Sequence, residues 1–170
     1  GILNLSNYVL YNYTDTPEDF YQRLKINVQL NKELGTKIYS FPMKYIPLTA
    51  KDRSFIGKNW NMKMLRGIQC VLLVTRGIIS PRQEFFEAAF GSTFEEFLQI
   101  VLMPEDYIIN RRRHELNGAF DWKNTYKKLT RSEKNTFINL LSNNKVVKED
   151  IKKVSSNKMK RLLSHYIEFN

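Results

Sequence analysis

The sequence has a single cysteine, Cys70, and only two histidines, His114 and His165. One cysteine excludes an intramolecular disulfide and fits a reducing, cytoplasmic setting. Together with two distant histidines, it leaves too few soft ligands for this chain alone to hold zinc or an iron–sulfur cluster. Cys70 stands in an apolar stretch and is expected as a buried thiol. Long apolar runs are also missing: the longest, Cys70 to Val74, is far too short to cross a bilayer. The start, Gly1-Ile2-Leu3-Asn4, has no basic region followed by an apolar stretch, so no signal peptide is expected. A start at glycine is read as a domain excised from a longer protein. Neither a Gly-x-Gly-x-x-Gly nor a Gly-x-x-x-x-Gly-Lys phosphate loop is present, and no local Ser/His/Asp or Cys/His grouping supports a nucleophile.

What is present is a globular composition. Hydrophobic residues make up 42% of the 170 and aromatics 13%. The net charge of +10 is uneven, with residues 1–122 at +2 and residues 123–170 at +8. A basic tail of this kind attracts polyanions without reading sequence, although a solvated helical face carries lysines equally well. Its candidate contacts are Arg111, Arg112, Arg113, Lys127, Lys128, Lys160 and Arg161.

Along the chain, Tyr8-Val9-Leu10-Tyr11 reads as a strand. Thr16, Pro17 and Asp19 then spell a helix start, with Thr16 as N-cap and proline at the first helical position. Phe20, Leu24 and Val28 recur on one face, and Gly35 marks the end. Lys37 to Phe41 is the second strand. Strand, helix, strand is a βαβ unit, so the strands should be parallel. A two-stranded parallel sheet is rarely stable alone, so further strands are expected beside it. The remainder reads as helices: Asn61 to about Thr75, a short helix after Pro81 ending at Gly91, and one opened by a capping box at Ser92-Thr93-Phe94-Glu95. A short helix after Pro104, one opened by the box Thr130-Arg131-Ser132-Glu133, and an amphipathic stretch from Lys148 to Ile167 follow. The fold class expected is therefore α/β, mainly helical, with a small parallel sheet at the N-terminal end. Its segments are 1–50, a helical extension over 51–120, and a basic helical tail over 121–170.

The segment from Tyr8 through Thr16-Pro17-Glu18-Asp19-Phe20 resembles the fifth strand, loop and helix of the radical S-adenosylmethionine (radical SAM) partial barrel. Ile38-Tyr39-Ser40-Phe41-Pro42-Met43-Lys44-Tyr45-Ile46-Pro47-Leu48 is similar to its sixth strand. The family's Cys-x-x-x-Cys-x-x-Cys signature is absent, and Tyr11-Asn12-Tyr13 replaces the usual small-residue loop. The resemblance implies the C-terminal part of an oxidoreductase that binds SAM at a 4Fe-4S cluster. The cluster ligands would lie in a missing N-terminal part, and this chain would be inactive alone. It also implies that Leu10, Asn12, Phe41 and Met43 lie near the adenine end of SAM, with Asn12 hydrogen-bonding the ribose or adenine. Further expectations are a homodimer through the exposed sheet edge, no membrane partner, and Asp52, Arg53 and Trp60 either lining a substrate mouth or anchoring a loop.

Overall fold

The computed structural model describes residues 4–167. Its architecture is mainly helical α/β, with a parallel two-stranded sheet at the N-terminal end followed by helices. The strands are β1 (Asn4–Tyr11) and β2 (Lys37–Lys44), and the crossover helix α1 spans Pro17–Leu34. Parallel pairing runs from Asn4 opposite Lys37 to Tyr11 opposite Lys44. The helix begins as its sequence dictates. Thr16 accepts from the Asp19 amide, the Asp19 carboxylate accepts from the Thr16 amide at 2.8 Å, and Pro17 stands at the first position. The helix ends at Gly35, whose φ of +63° lies in the left-handed region that glycine adopts without strain.

The chain divides into two compact units. The first comprises residues 1–61 and 71–100. Here α1 buries Phe20, Tyr21, Leu24 and Val28, while β1 sends Val9 and Tyr11 to the same core. Helices α3 (Gln83–Phe90) and α4 (Phe94–Leu102) supply Phe86, Phe90 and Phe97. The rings interlock: Tyr21 lies 5.5 Å from Phe97 and 5.8 Å from Phe86, and its hydroxyl donates to the Gly91 carbonyl at 3.2 Å. Thr93 caps α4, its hydroxyl accepting from the Glu96 amide, one residue later than the box expected at Ser92. The Glu96 carboxylate reaches back to accept from both the amide and the hydroxyl of Ser92.

The second unit comprises residues 62–70 and 101–170. Helix α2 (Met62–Val74) thus contributes Met64, Leu65 and Ile68 to this core and Val71 to the other unit. Short helices α5 (Glu105–Ile109) and α6 (Arg111–His114) lead to α7 (Ala119–Lys127), α8 (Arg131–Leu140), α9 (Lys148–Lys153) and α10 (Asn157–Leu163). Trp122, Tyr126, Phe137, Leu162, Leu163 and Tyr166 fill the centre. The capping box expected at Thr130 and Glu133 is present. The single helix expected over Lys148–Ile167 is corrected. It breaks at Val154, whose backbone is extended, and restarts after Ser156; a 3₁₀ turn over Ser164–Tyr166 follows α10. The physical reason is tertiary: next to the break the Ser156 hydroxyl donates to Glu133 of α8, 23 residues away, at 2.6 Å.

Candidate functional site

Period-two alternation sorts the sheet into two faces. Val9, Tyr11 and Ser40 are buried on the side of α1. On the opposite side the register aligns Ser6 with Tyr39, Tyr8 with Phe41 and Leu10 with Met43. That face is open: Tyr8 is 72% exposed, Leu10 51% and Met43 45%. The Tyr8 and Phe41 rings lie 5.8 Å apart. Exposed apolar and aromatic side chains are therefore contiguous on this face.

The two edges of the sheet differ. In a parallel strand, alternate residues direct both N–H and C=O to the same side. On the outer edge of β2 these groups are occupied. Ile38 donates to Asn31 Oδ1 at 2.6 Å and accepts from Asn31 Nδ2 at 3.1 Å. Ser40 exchanges both backbone bonds with Ile79 in an antiparallel bridge. The next residue in phase is Pro42, which has no N–H to offer. The outer edge of β1 is open. Among the described residues, only the Leu10 carbonyl is taken there, by Arg23 at 2.7 Å, and Arg23 also pairs with Asp15 at 2.5 Å. Beside this edge runs a groove of about 520 Å³ lined by Asn7, Val9, Arg23, Ile26 and Asn27. Asn7 Oδ1 is buried and has no hydrogen-bond partner.

Of the four cofactor candidates, the structure brings Leu10, Phe41 and Met43 together on the open face. Asn12 stands apart. It is fully buried in the loop after β1, with φ at +72°. Its Nδ2 donates to the carbonyls of Tyr45 (3.1 Å) and Phe55 (3.0 Å), and its Oδ1 accepts from the Gly57 amide at 2.8 Å. Both amide hydrogens are thus spent on the protein, and Asn12 serves as a staple between two loops. Gly57 must be glycine there, because a Cβ would lie 2.5 Å from the Tyr13 carbonyl oxygen. Trp60 anchors a loop: its indole N–H donates to the Asp15 carbonyl at 2.9 Å, and its ring lies against Tyr11 and Phe20. Asp52 and Arg53 lie in an exposed loop, tied by the Ser54 amide donating to Asp52 and by Lys44 donating to the Arg53 carbonyl. Sequence reasoning missed Tyr8 and Tyr39 as members of the open face. Their parity with Leu10 and Met43 was the available signal.

The nucleic-acid candidates, Arg111 to Arg113 and those of the tail, all fall in the second unit. Arg112 and Arg113 are exposed on α6, while Arg111 is half-buried. Lys127, Lys128 and Arg161 are exposed at the end of α7 and on α10, and Lys160 is half-buried. Cys70 is buried, and burial pushes its thiol above the ordinary range, which makes it a poor nucleophile and ligand. Among the described residues, no group of three or more His, Cys, Asp or Glu side chains is placed to hold a metal ion, and no helix is long and apolar enough to cross a membrane. No family model matches this chain, and comparison with curated proteins and with solved structures gives no match either.

Proposed function

We propose that this chain is the C-terminal wall of a radical SAM partial barrel, contributing β1 and β2 to a SAM and substrate pocket completed by further strands. The observation that carries the proposal is the asymmetry of the sheet among the described residues: a closed outer edge on β2, an open edge on β1 and a largely exposed apolar face. A sheet built this way is a terminus, ending at β2 and continuing beyond β1. A parallel neighbour would occupy the groove beside Ile26 and bring a donor to Asn7 Oδ1.

The fit to the cofactors is unequal. Leu10, Phe41 and Met43, with Tyr8 and Tyr39, offer the apolar and aromatic surface on which an adenine ring packs. The cluster does not fit this chain, whose one thiol is buried and has no partner cysteines, so its ligands belong to the continuing part of the sheet. SAM bound at such a cluster supplies a 5′-deoxyadenosyl radical. This chain's share is to orient the adenosyl group and to exclude water from the open face.

The test uses the natural full-length protein purified without oxygen. An oxygen-sensitive cluster and reductive release of 5′-deoxyadenosine are expected, with weaker SAM binding in Phe41→Ala and Met43→Ala. Absence of a cluster in that protein would overturn the reading.

A further inference from the structure

The charge segregates with the structural units. The second unit holds 17 basic and 8 acidic residues, a net of +9, and the first holds 10 and 9, a net of +1. Much of that excess gathers where α10 packs along α7 and α8. Lys158 Nζ donates to the Lys128 carbonyl at 2.9 Å, which sets α10 beside the C-terminal end of α7. Near the other end of α7, Arg161 lies 3.4 Å from Asp121. Lys127 and Lys128 end the same helix, and Arg131 opens α8 just after it. The cations of this strip are Lys127, Lys128, Arg131, Lys158, Lys160 and Arg161. The opposing carboxylates are Asp121 and Glu133, and both are engaged: Asp121 by Arg161, and Glu133 by Thr130, Ser156 and Lys158. The strip is therefore strongly positive after its internal pairs are counted.

We infer that this α7–α8–α10 surface binds the phosphate backbone of nucleic acid, independently of what the sheet does. A membrane surface is the less fitting partner. Interfacial helices need an apolar face to insert, and Met159, Leu162 and Leu163 of α10 are buried in this unit's own core. Of the unit's exposed large hydrophobics, Ile109, Leu116 and Val147 lie outside these three helices, and Phe120, at the start of α7, is a single exposed ring rather than an apolar face. A helix of nine residues such as α7 spans about 13 Å, room for roughly three backbone phosphates. Contacts of this kind position a strand without selecting its sequence.

The probe is a fluorescent single-stranded RNA of random sequence, read by anisotropy across a salt series. Two variants carry the same charge change. One replaces Lys127, Lys128, Arg131 and Lys160 by Gln, and the other replaces Lys32, Lys37, Lys51 and Lys58 of the first unit. Among the described residues, none of these eight side chains makes a hydrogen bond or ion pair, so both variants should retain the wild-type melting temperature. With about three contacts, the logarithm of affinity should fall with a slope near roughly −2 against the logarithm of salt. The strip variant should bind at least about tenfold more weakly at low salt and lose most of that slope, and the first-unit variant should change less than about twofold. Equal weakening in both variants would overturn the inference, because net charge alone would then explain binding. So would a lack of salt-dependent RNA binding, or tighter binding to phosphatidylserine vesicles than to RNA.

Discussion

The carboxamide of Asn31 brackets the backbone of Ile38, accepting from its amide at 2.6 Å and donating to its carbonyl at 3.1 Å. A side chain from the crossover helix thereby takes the place of a neighbouring strand. Asn31 is itself buried, and its Oδ1 also accepts from the Thr36 hydroxyl at 3.2 Å.

Asn31→Leu should therefore destabilise the protein by about 1–3 kcal/mol, the cost of leaving backbone polar groups without partners. The Ile38 amide should lose its hydrogen-exchange protection while the Ser40 amide, held by Ile79, keeps much of its own. Denaturant unfolding and residue-resolved exchange check this. An unchanged Ile38 protection factor would show that Asn31 does not close the edge.

The open face carries the opposite expectation. Leu10→Ser and Met43→Ser remove apolar atoms that already meet water, so each should shift stability by less than about 0.5 kcal/mol. Both should lower the binding of a hydrophobic dye and any self-association at high protein concentration. Light scattering and dye fluorescence are the measurements. A large loss of stability would mean that the face is covered within this chain.

Asn12 should behave as a structural residue. Asn12→Ala removes two donated bonds and one accepted bond, strands the buried Gly57 amide, and places alanine at a φ of +72°. A loss of at least about 3 kcal/mol is expected. Gly57→Ala should be comparably harmful, because its Cβ would collide with the Tyr13 carbonyl. Thermal melts of the two variants decide it. A variant that melted like the wild type yet lost nucleoside binding would restore Asn12 as a ligand contact.

Much of the fold was legible in the sequence because local chemistry specified it. Thr16, Pro17 and Asp19 encode a helix start, Gly35 its end, and Thr130 with Glu133 another start, all through contacts within a few residues. The parallel pairing followed from the length of the crossover. Three of the four cofactor candidates lie within the strands, where alternation reveals the face, whereas Asn12 lies one residue past β1 in a loop whose partners, Tyr45, Phe55 and Gly57, are remote in sequence. The break at Val154 was hidden because the apolar spacing of Ile151, Met159 and Leu162 runs on across it. The interleaving of the units was hidden as well, since α2 reads as one helix yet serves both cores. Least legible was Lys63. A lysine near the start of an apolar helix reads as a solvent-facing residue, and its carbonyl partner, Met103, is 40 residues away.

Lys63 gives the last prediction. It is fully buried, its Nζ donating to the Met103 carbonyl at 2.7 Å and lying 5.3 Å from the Tyr166 ring centre. Burial lowers its ammonium to about 8, partly offset by Glu105 and Cys70 and reinforced by Arg66. The unfolded chain keeps its proton up to the ordinary lysine range. Between about pH 8 and about pH 10 the unfolded state thus binds more protons at this site, and stability from Lys63 rises with pH. The Cys70 thiol, pushed up by burial, acts in the opposite sense as the unfolded thiol ionises. Tyr11 and Tyr21, pushed up to about 12, do the same at still higher pH. Comparing wild type with Lys63→Met at each pH removes the shared tyrosine contributions, and loss of the ammonium beside Cys70 raises that thiol further, which lowers the variant's stability with pH in the same direction. The signed stability difference, Lys63→Met minus wild type, should fall steadily from about pH 8 to about pH 10, as read by denaturant unfolding. A difference constant over that range would mean that Lys63 titrates alike in both states and that its ammonium is solvated in the folded protein.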